Sequence, residues 1–395
     1  MAKPTLALIP AAQGSKFYSV LPSNGVGDFD FTRSGSATRI NKDGLIETVL
    51  SGVSRLNYPL VDGVVNGCPH HILEPSRTNV LQRSEEFDNA YWINNGVTIN
   101  ANQTISPSGQ LNADLLTGVS GGFGVVRFST WSATNKVASC FAKKGSTNLF
   151  KIANVSSSNR YVLFDLSNGT VSEESVGWTG FIENYGNGWY RCTAISNNET
   201  GTFSLGVTAA SESVYIWGAQ LESDYKTSYI PTTTAAVTRS AETANGSGNA
   251  ATFNDSEGVL MAEISALTDI GSNQSIAISD GSISNRILFR YNSTNQIRVI
   301  VISNTSTNFV FDKTLNISSI KEYNKFAIKY KQDDFALWVN GFELGADNSG
   351  VTPTGLNELA LDDGSGINDF YGNIKQIQYF DTALTDQELQ TLTTI

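Results

Sequence analysis

Four pairs of adjacent carboxylates stand out in the chain: Glu85-Glu86, Glu173-Glu174, Asp333-Asp334 and Asp362-Asp363. Glycoside hydrolysis needs two carboxyl groups facing each other across a sugar, about 5 to 9.5 Å apart. Each of these pairs falls at a predicted turn or strand edge, where solvated turn acids are the expected residues. The two histidines, His70 and His71, are neighbours in "CPHHILEP". On an extended chain adjacent side chains point to opposite faces, so the two do not share a metal or a triad. Cys68 and His70 face the same way but make only two ligands, short of a tetrahedral site. No GxxxxGK[ST] loop occurs, so nucleotide binding has no motif behind it.

Sugar recognition asks for different residues: flat aromatic faces, oriented by Asn, Asp and Arg. Trp178, Trp338, Tyr91 and Trp92 are the candidate platforms. Trp189 and Trp217 lie inside strand-like motifs, "NGWYRCTAIS" and "SVYIWGAQLE", and are expected in the core. Trp338 sits opposite the apolar set Leu337 and Val339, so its role depends on whether that face is covered. The stretch "LDDGSGINDF" sets Asp362, Asp363 and Asp369 among turn-forming glycines.

The elements that must carry these residues are strands. The 395-residue chain exceeds the usual domain of about 100 to 200 residues, so it should hold more than one core. Only 16% of residues are charged, and Asn, Ser, Thr and Gly fill the gaps between short apolar runs of period two. An all-β fold is predicted: two tandem antiparallel β-sandwich (jelly-roll) domains preceded by an irregular N-terminal segment. The boundaries read as a segment over 1–83, a sandwich over 84–233, a small polar linker over 234–250 and a jelly roll over 251–395. Asp43-Gly44, Asn168-Gly169 and Asn340-Gly341 are hairpin signals, the last two of type I′. One short C-terminal helix is expected in "TALTDQELQTLTT", with Thr385 and Glu388 as a capping box and Leu389 and Leu392 on one face.

A net charge of −11 opposes nucleic-acid binding. The apolar run Leu6 to Ile9 is too short for a signal-peptide core or a membrane span, so neither secretion by a cleaved signal nor membrane insertion is expected. Cys68, Cys140 and Cys192 are odd in number and far apart, which favours buried free thiols over disulfides or zinc.

"DDFALWVNGFELG" followed by "DDGSGINDFYGNIKQIQYFDTALTDQELQTLTT" resembles the closing half of concanavalin A-like or laminin-G-like jelly rolls, over roughly residues 255 to 395. The middle stretches "SEEFDNAYWINNGVTINANQTISPSGQLNADLL", "NGWYRC" and "VYIWGAQLESDYKTSYIPT" resemble carbohydrate-binding-module-like sandwiches of tailed-bacteriophage virion proteins. "GDFDFTRSGSATRINKDGLIETV" and "CPHHILEPSRTNVL" resemble the segment that precedes them there. The resemblance implies a non-enzymatic virion protein of a tail fibre, baseplate or capsid appendage, made in the host cytoplasm. Other virion proteins, cell-surface glycans and sister chains, as in a trimer, are its implied partners. It further implies a structural Ca²⁺ as the one candidate cofactor, with Asp362, Asp363 and Asp369 as ligands. The E-x-D-x-x-E pattern of concanavalin-like glycosidases is missing. Adhesion to glycans through several weak sites is the expected function. A purely architectural decoration or baseplate protein is the alternative, and a polysaccharide depolymerase a third reading.

Overall fold

The computed structural model describes residues 2–119, 124–129, 135–154, 160–197, 201–269, 273–293, 295–304 and 309–395. These residues are almost entirely β, with one helix, Asp386–Thr393. Period-two patterning has produced two sandwiches, each burying one face of each sheet.

The C-terminal sandwich packs a five-stranded sheet against an 11-stranded one. Its core includes Ile264, Phe289, Val299, Phe326, Leu337 and Ile377. The middle sandwich sets two six-stranded sheets around Leu116, Phe150, Val162, Cys192, Leu205 and Ile216.

The two sandwiches are nested, where the sequence suggested a tandem order. The strand Gly372–Phe380 would have an open edge within residues 251–395, and that edge is filled from the start of the chain. Leu6–Gln13 pairs antiparallel with it, Leu6 opposite Tyr379, and His70–Leu73 pairs with its first residues, Gly372 opposite Leu73. Lys16–Leu21 and Phe29–Thr32 extend the same sheet, and Leu6, Leu8, Phe17, Phe29, Phe31 and Leu73 enter the C-terminal core. The irregular segment 1–83 therefore lends strands to the C-terminal sheet. Arg77–Asn79 and Val237–Arg239 then run side by side as the entry and exit of the middle sandwich.

Residues 234–250, expected as a linker, are built into this join. Thr243–Asn245 pairs with Phe29–Thr32, and Arg239, Glu242 and Ser247 are fully buried. Small polar residues suit a spacer, but here they are hydrogen-bonding partners in a buried interface.

Turn chemistry was largely legible. Asn340 and Gly341 have φ of 52° and 86°, the two positive values a type I′ turn needs, and Val339 pairs with Phe342 across it. At Asn168-Gly169 only Gly169 has positive φ, and Asp165 pairs with Thr170, so the hairpin closes through a four-residue loop instead of a type I′ turn. The helix has the expected capping box, Thr385 with Glu388, and buries Leu389 and Leu392.

Candidate functional site

The sequence candidates are mostly used for packing. Trp338 is 8% exposed and lies under the helix with Val259, Met261, Leu389 and Leu392. The face opposite Leu337 and Val339 is thus covered, and Trp338 is no sugar platform. Trp92 and Trp178 are buried in the middle core, and Tyr91 packs edge-on against Trp92 with ring centroids 5.4 Å apart. Trp92 Nε1 donates to the Arg83 carbonyl at 3.0 Å, which fixes the ring inward. Trp189 and Trp217 are buried as well.

The three aspartates do not fit a calcium site. Asp363 accepts from the Ser365 amide and hydroxyl at 3.1 and 2.7 Å and from Asn368 Nδ2 at 2.9 Å. It also faces Arg286 and Arg290 at 3.8 and 3.6 Å. Asp362 accepts from the Gly364 amide at 2.6 Å, and Asp369 from the Tyr371 hydroxyl at 3.2 Å. Both oxygens of Asp363 are thus taken by turn donors beside two arginines. Among the described residues no three His, Cys, Asp or Glu side chains converge to hold a metal. Cys140 and Cys192 are buried free thiols as expected, whereas Cys68 is exposed.

Two adjoining cavities lie where the strand-lending segment meets the middle sandwich. One, of about 380 Å³, is bounded by Arg39, Asn57, Tyr185, Arg191 and Lys226. A second, of about 450 Å³, is bounded by Tyr58, Asp62, Asn168, Asn184 and Tyr190. They share Ile40, Asn57, Glu183 and Tyr185, so they form one cleft.

Each wall of the cleft is held in place. The hairpin strands Ala37–Ile40 and Ile46–Val49 form the first wall, and Asn57 accepts from the Ile40 amide at 2.8 Å. Strands Trp178–Gly186 and Trp189–Asn197 form the second. Tyr185 stands edge-on to Phe141 at 4.9 Å, and burial pushes its hydroxyl pKa up to about 12, so it acts as a neutral donor. The ring of Tyr190 lies against Gly169, where a Cβ would come within 2.6 Å of Cε1. The turn at Gly63 touches the second wall at Gly186, where a Cβ on Gly63 would meet the Gly186 amide at 2.4 Å. Only glycine permits that approach.

Charges around the cleft are matched. Glu183 pairs with Lys226, and Arg39 with Glu47 at 2.6 Å. Arg191 is buried, donating to the Thr227 carbonyl at 2.8 Å and Ser139 Oγ at 3.1 Å. Beneath the floor, Glu74 and Glu242 meet Arg33, Arg55 and Arg239 in a buried cluster. Burial works to raise the Glu74 pKa, but Arg239 and Arg55 overcome it and hold the carboxylate at about 2.

Residues 265–390 match the Laminin_G_3 family of the concanavalin A-like lectin/glucanases superfamily. That stretch of the C-terminal sandwich is similar to concanavalin A-like domains. No curated protein matches the chain. Among solved structures, the CBM40 of Ruminococcus gnavus IT-sialidase bound to α2,3-sialyllactose is similar at 16% identity and TM-score 0.32. That likeness covers 36% of this chain and 84% of that one. The leech intramolecular trans-sialidase complexed with 2,7-anhydro-Neu5Ac is similar at 17% identity and TM-score 0.31, over 36% of this chain and 24% of its own. A heptameric SAP-like pentraxin from Limulus polyphemus is similar at 12% identity and TM-score 0.27, over 34% of this chain and 68% of its own.

Tyr58, Tyr185 and Tyr190 were not among the sequence candidates. Their signal was present in "LNYPL" and "ENYGNGWYR", tyrosines beside Asn and Gly. It was masked because the two stretches lie more than a hundred residues apart and only nesting brings them together.

Proposed function

We propose that this protein is a non-enzymatic glycan-binding protein and that the junction cleft receives a neutral pyranose chain. The observation that carries this is the lining of one open cleft by Tyr58, Tyr185 and Tyr190 together with Asn57, Asn168 and Asn184. Tyrosine rings offer faces for sugar C–H groups, and amides supply donors and acceptors for hydroxyls. The concanavalin A-like match of residues 265–390 supports the same reading.

Catalysis is disfavoured by the carboxylates themselves. Glu183 is neutralised by Lys226, and Glu74 lies in the arginine cluster. Glu85 accepts from the Tyr229 hydroxyl at 2.9 Å and Asn112 Nδ2 at 3.0 Å, and Glu86 pairs with Arg83 at 2.7 Å. Glu173 accepts from the Tyr161 hydroxyl and Glu174 from the Gly180 amide. None is left as the free acid–base pair that glycoside cleavage requires. Placement on a phage particle, with other virion proteins and sister chains as partners, belongs to the same proposal and rests on the sequence resemblance of residues 1–83 and 84–233.

Screening the full chain on a glycan array, followed by titration of the best ligand, tests the reading. Retention that weakens in Tyr185→Ala supports it. Silence across the array, or release of new reducing ends, would overturn it.

A further inference from the structure

Between the sheets of the middle sandwich, at the end where Asn135–Lys144 and Trp178–Gly186 begin and Leu149–Asn154 and Trp189–Asn197 end, a slot remains open. Its cavity is about 30 Å³. By that measure a water needs roughly 10 to 15 Å³, so the slot has room for about two waters or one acetyl group.

The cause of the gap lies in side-chain size. Ala138 and Ala194 are directly opposite on one sheet, and Phe203 faces them from the other. Two alanines at inward positions leave unfilled space in an interior that otherwise packs to crystal-like density.

One polar group is stranded there. Trp178 lines the slot and is 8% exposed, and its Nε1–H is buried with no acceptor. A buried donor without a partner costs about 1 to 3 kcal/mol. Trp178 pairs in register with Ser196, whose side chain also lines the slot, while Asn154 Oδ1 is already taken by the Thr202 amide at 3.1 Å. Water there would meet mostly methyl groups, a poor exchange for bulk solvent. A group carrying one acceptor and one methyl matches the lining better.

We propose that this slot is a subsite for the acetamido group of an N-acetylated amino sugar. The acetyl carbonyl accepts from Trp178 Nε1–H, and its methyl packs on Ala138 and Ala194. The sugar part of this assignment rests on the glycan-binding reading, but the slot is separate from the junction cleft. Trp178, covered as a stacking face, thus serves recognition through its ring N–H.

The test uses the full chain with ¹⁵N-labelled tryptophan and N-acetylglucosamine, acetamide, glucosamine and glucose as probes. The Trp178 indole signal is assigned by its loss in Trp178→Phe. It should shift with N-acetylglucosamine and with acetamide, and stay still with glucosamine and glucose. An acetylated ligand should bind about 10-fold tighter than its free-amine counterpart, from one hydrogen bond and one buried methyl. Trp178→Phe should erase that preference. Filling the slot with Ala138→Val should abolish the shift, and Ala194→Val serves if the first variant does not fold. A signal unmoved by N-acetylglucosamine, or moved equally by glucose, overturns the subsite. Tyr185-dependent binding of unacetylated chains alongside an unmoved Trp178 would sink the slot and leave the cleft standing. If no polysaccharide binds yet acetamide shifts Trp178, the acetamido slot stands and the glycan reading falls.

Discussion

Arg55 and Glu242 are 187 residues apart and joined side by side, with Arg55 Nε donating to Oε1 at 2.8 Å and Nη2 to Oε2. Arg55 Nη2 also reaches Glu74 Oε2 at 2.8 Å, and Nη1 the Thr38 carbonyl at 2.8 Å and Ser228 Oγ at 3.0 Å. One guanidinium thereby fastens the strand-lending segment, the middle sandwich and the return segment at the same point. Its carboxylate partners are both desolvated, so each depends on the others being present.

Glu242→Gln should therefore be severe. It leaves Arg33 and Arg55 buried with their shared carboxylate gone, a loss of about 3 to 5 kcal/mol. Urea unfolding of wild type and variant measures it. A loss under about 1 kcal/mol would show that the cluster is not what joins the parts.

Acid should weaken the same region. Burial holds the pKa of His70 at about 4 and that of His71 at about 3, both under the ordinary 6.5. His71 is stacked on Phe17 with ring centroids 3.9 Å apart and has no hydrogen-bond partner on either ring nitrogen. The unfolded chain takes up these protons first, so this stability is complete above pH 6.5 and drains as pH falls toward 4 and 3. Glu74, at about 2 against 4.5, adds a loss below pH 4.5. Asp114 acts oppositely: burial raises it to about 6, costing stability as pH rises from 3.8 to that value. Replacing one histidine isolates its share. His71→Leu should flatten the stability profile between pH 6 and 4 by about 1.4 kcal/mol per pH unit relative to wild type. Parallel profiles for the two proteins would count against a neutral buried imidazole.

In the cleft, Tyr58→Ala and Tyr190→Ala should each weaken glycan binding about 3- to 10-fold, the worth of one stacking ring. Isothermal titration against the ligand found on the array reads this directly. Unchanged affinity in both variants would move the site elsewhere.

Trp338→Ala should do the reverse, destabilising the fold by about 3 to 5 kcal/mol while leaving glycan affinity alone. The ring fills the space between sheet and helix. Lost binding in a still-folded Trp338→Ala protein would contradict its place under the helix.

Local sequence rules decided much of this molecule. Alternation of apolar residues is enough to specify strands, and Asn340-Gly341 specifies its turn because few residue pairs tolerate two positive φ values. Thr385 and Glu388 specify the helix start because their side chains satisfy amides within the same turn. These signals need no partner from elsewhere in the chain. The pairing of Leu6–Gln13 with Gly372–Phe380, the burial of Arg55 against Glu242, and the meeting of Tyr58 with Tyr185 and Tyr190 are of another kind. Backbone edges accept any strand, and a lone Arg or Tyr carries no mark of its distant partner, so only the tertiary structure decides them. Trp338 shows the boundary: its face on the strand follows from alternation, but whether that face meets solvent or a helix depends on where residues 386–393 come to rest.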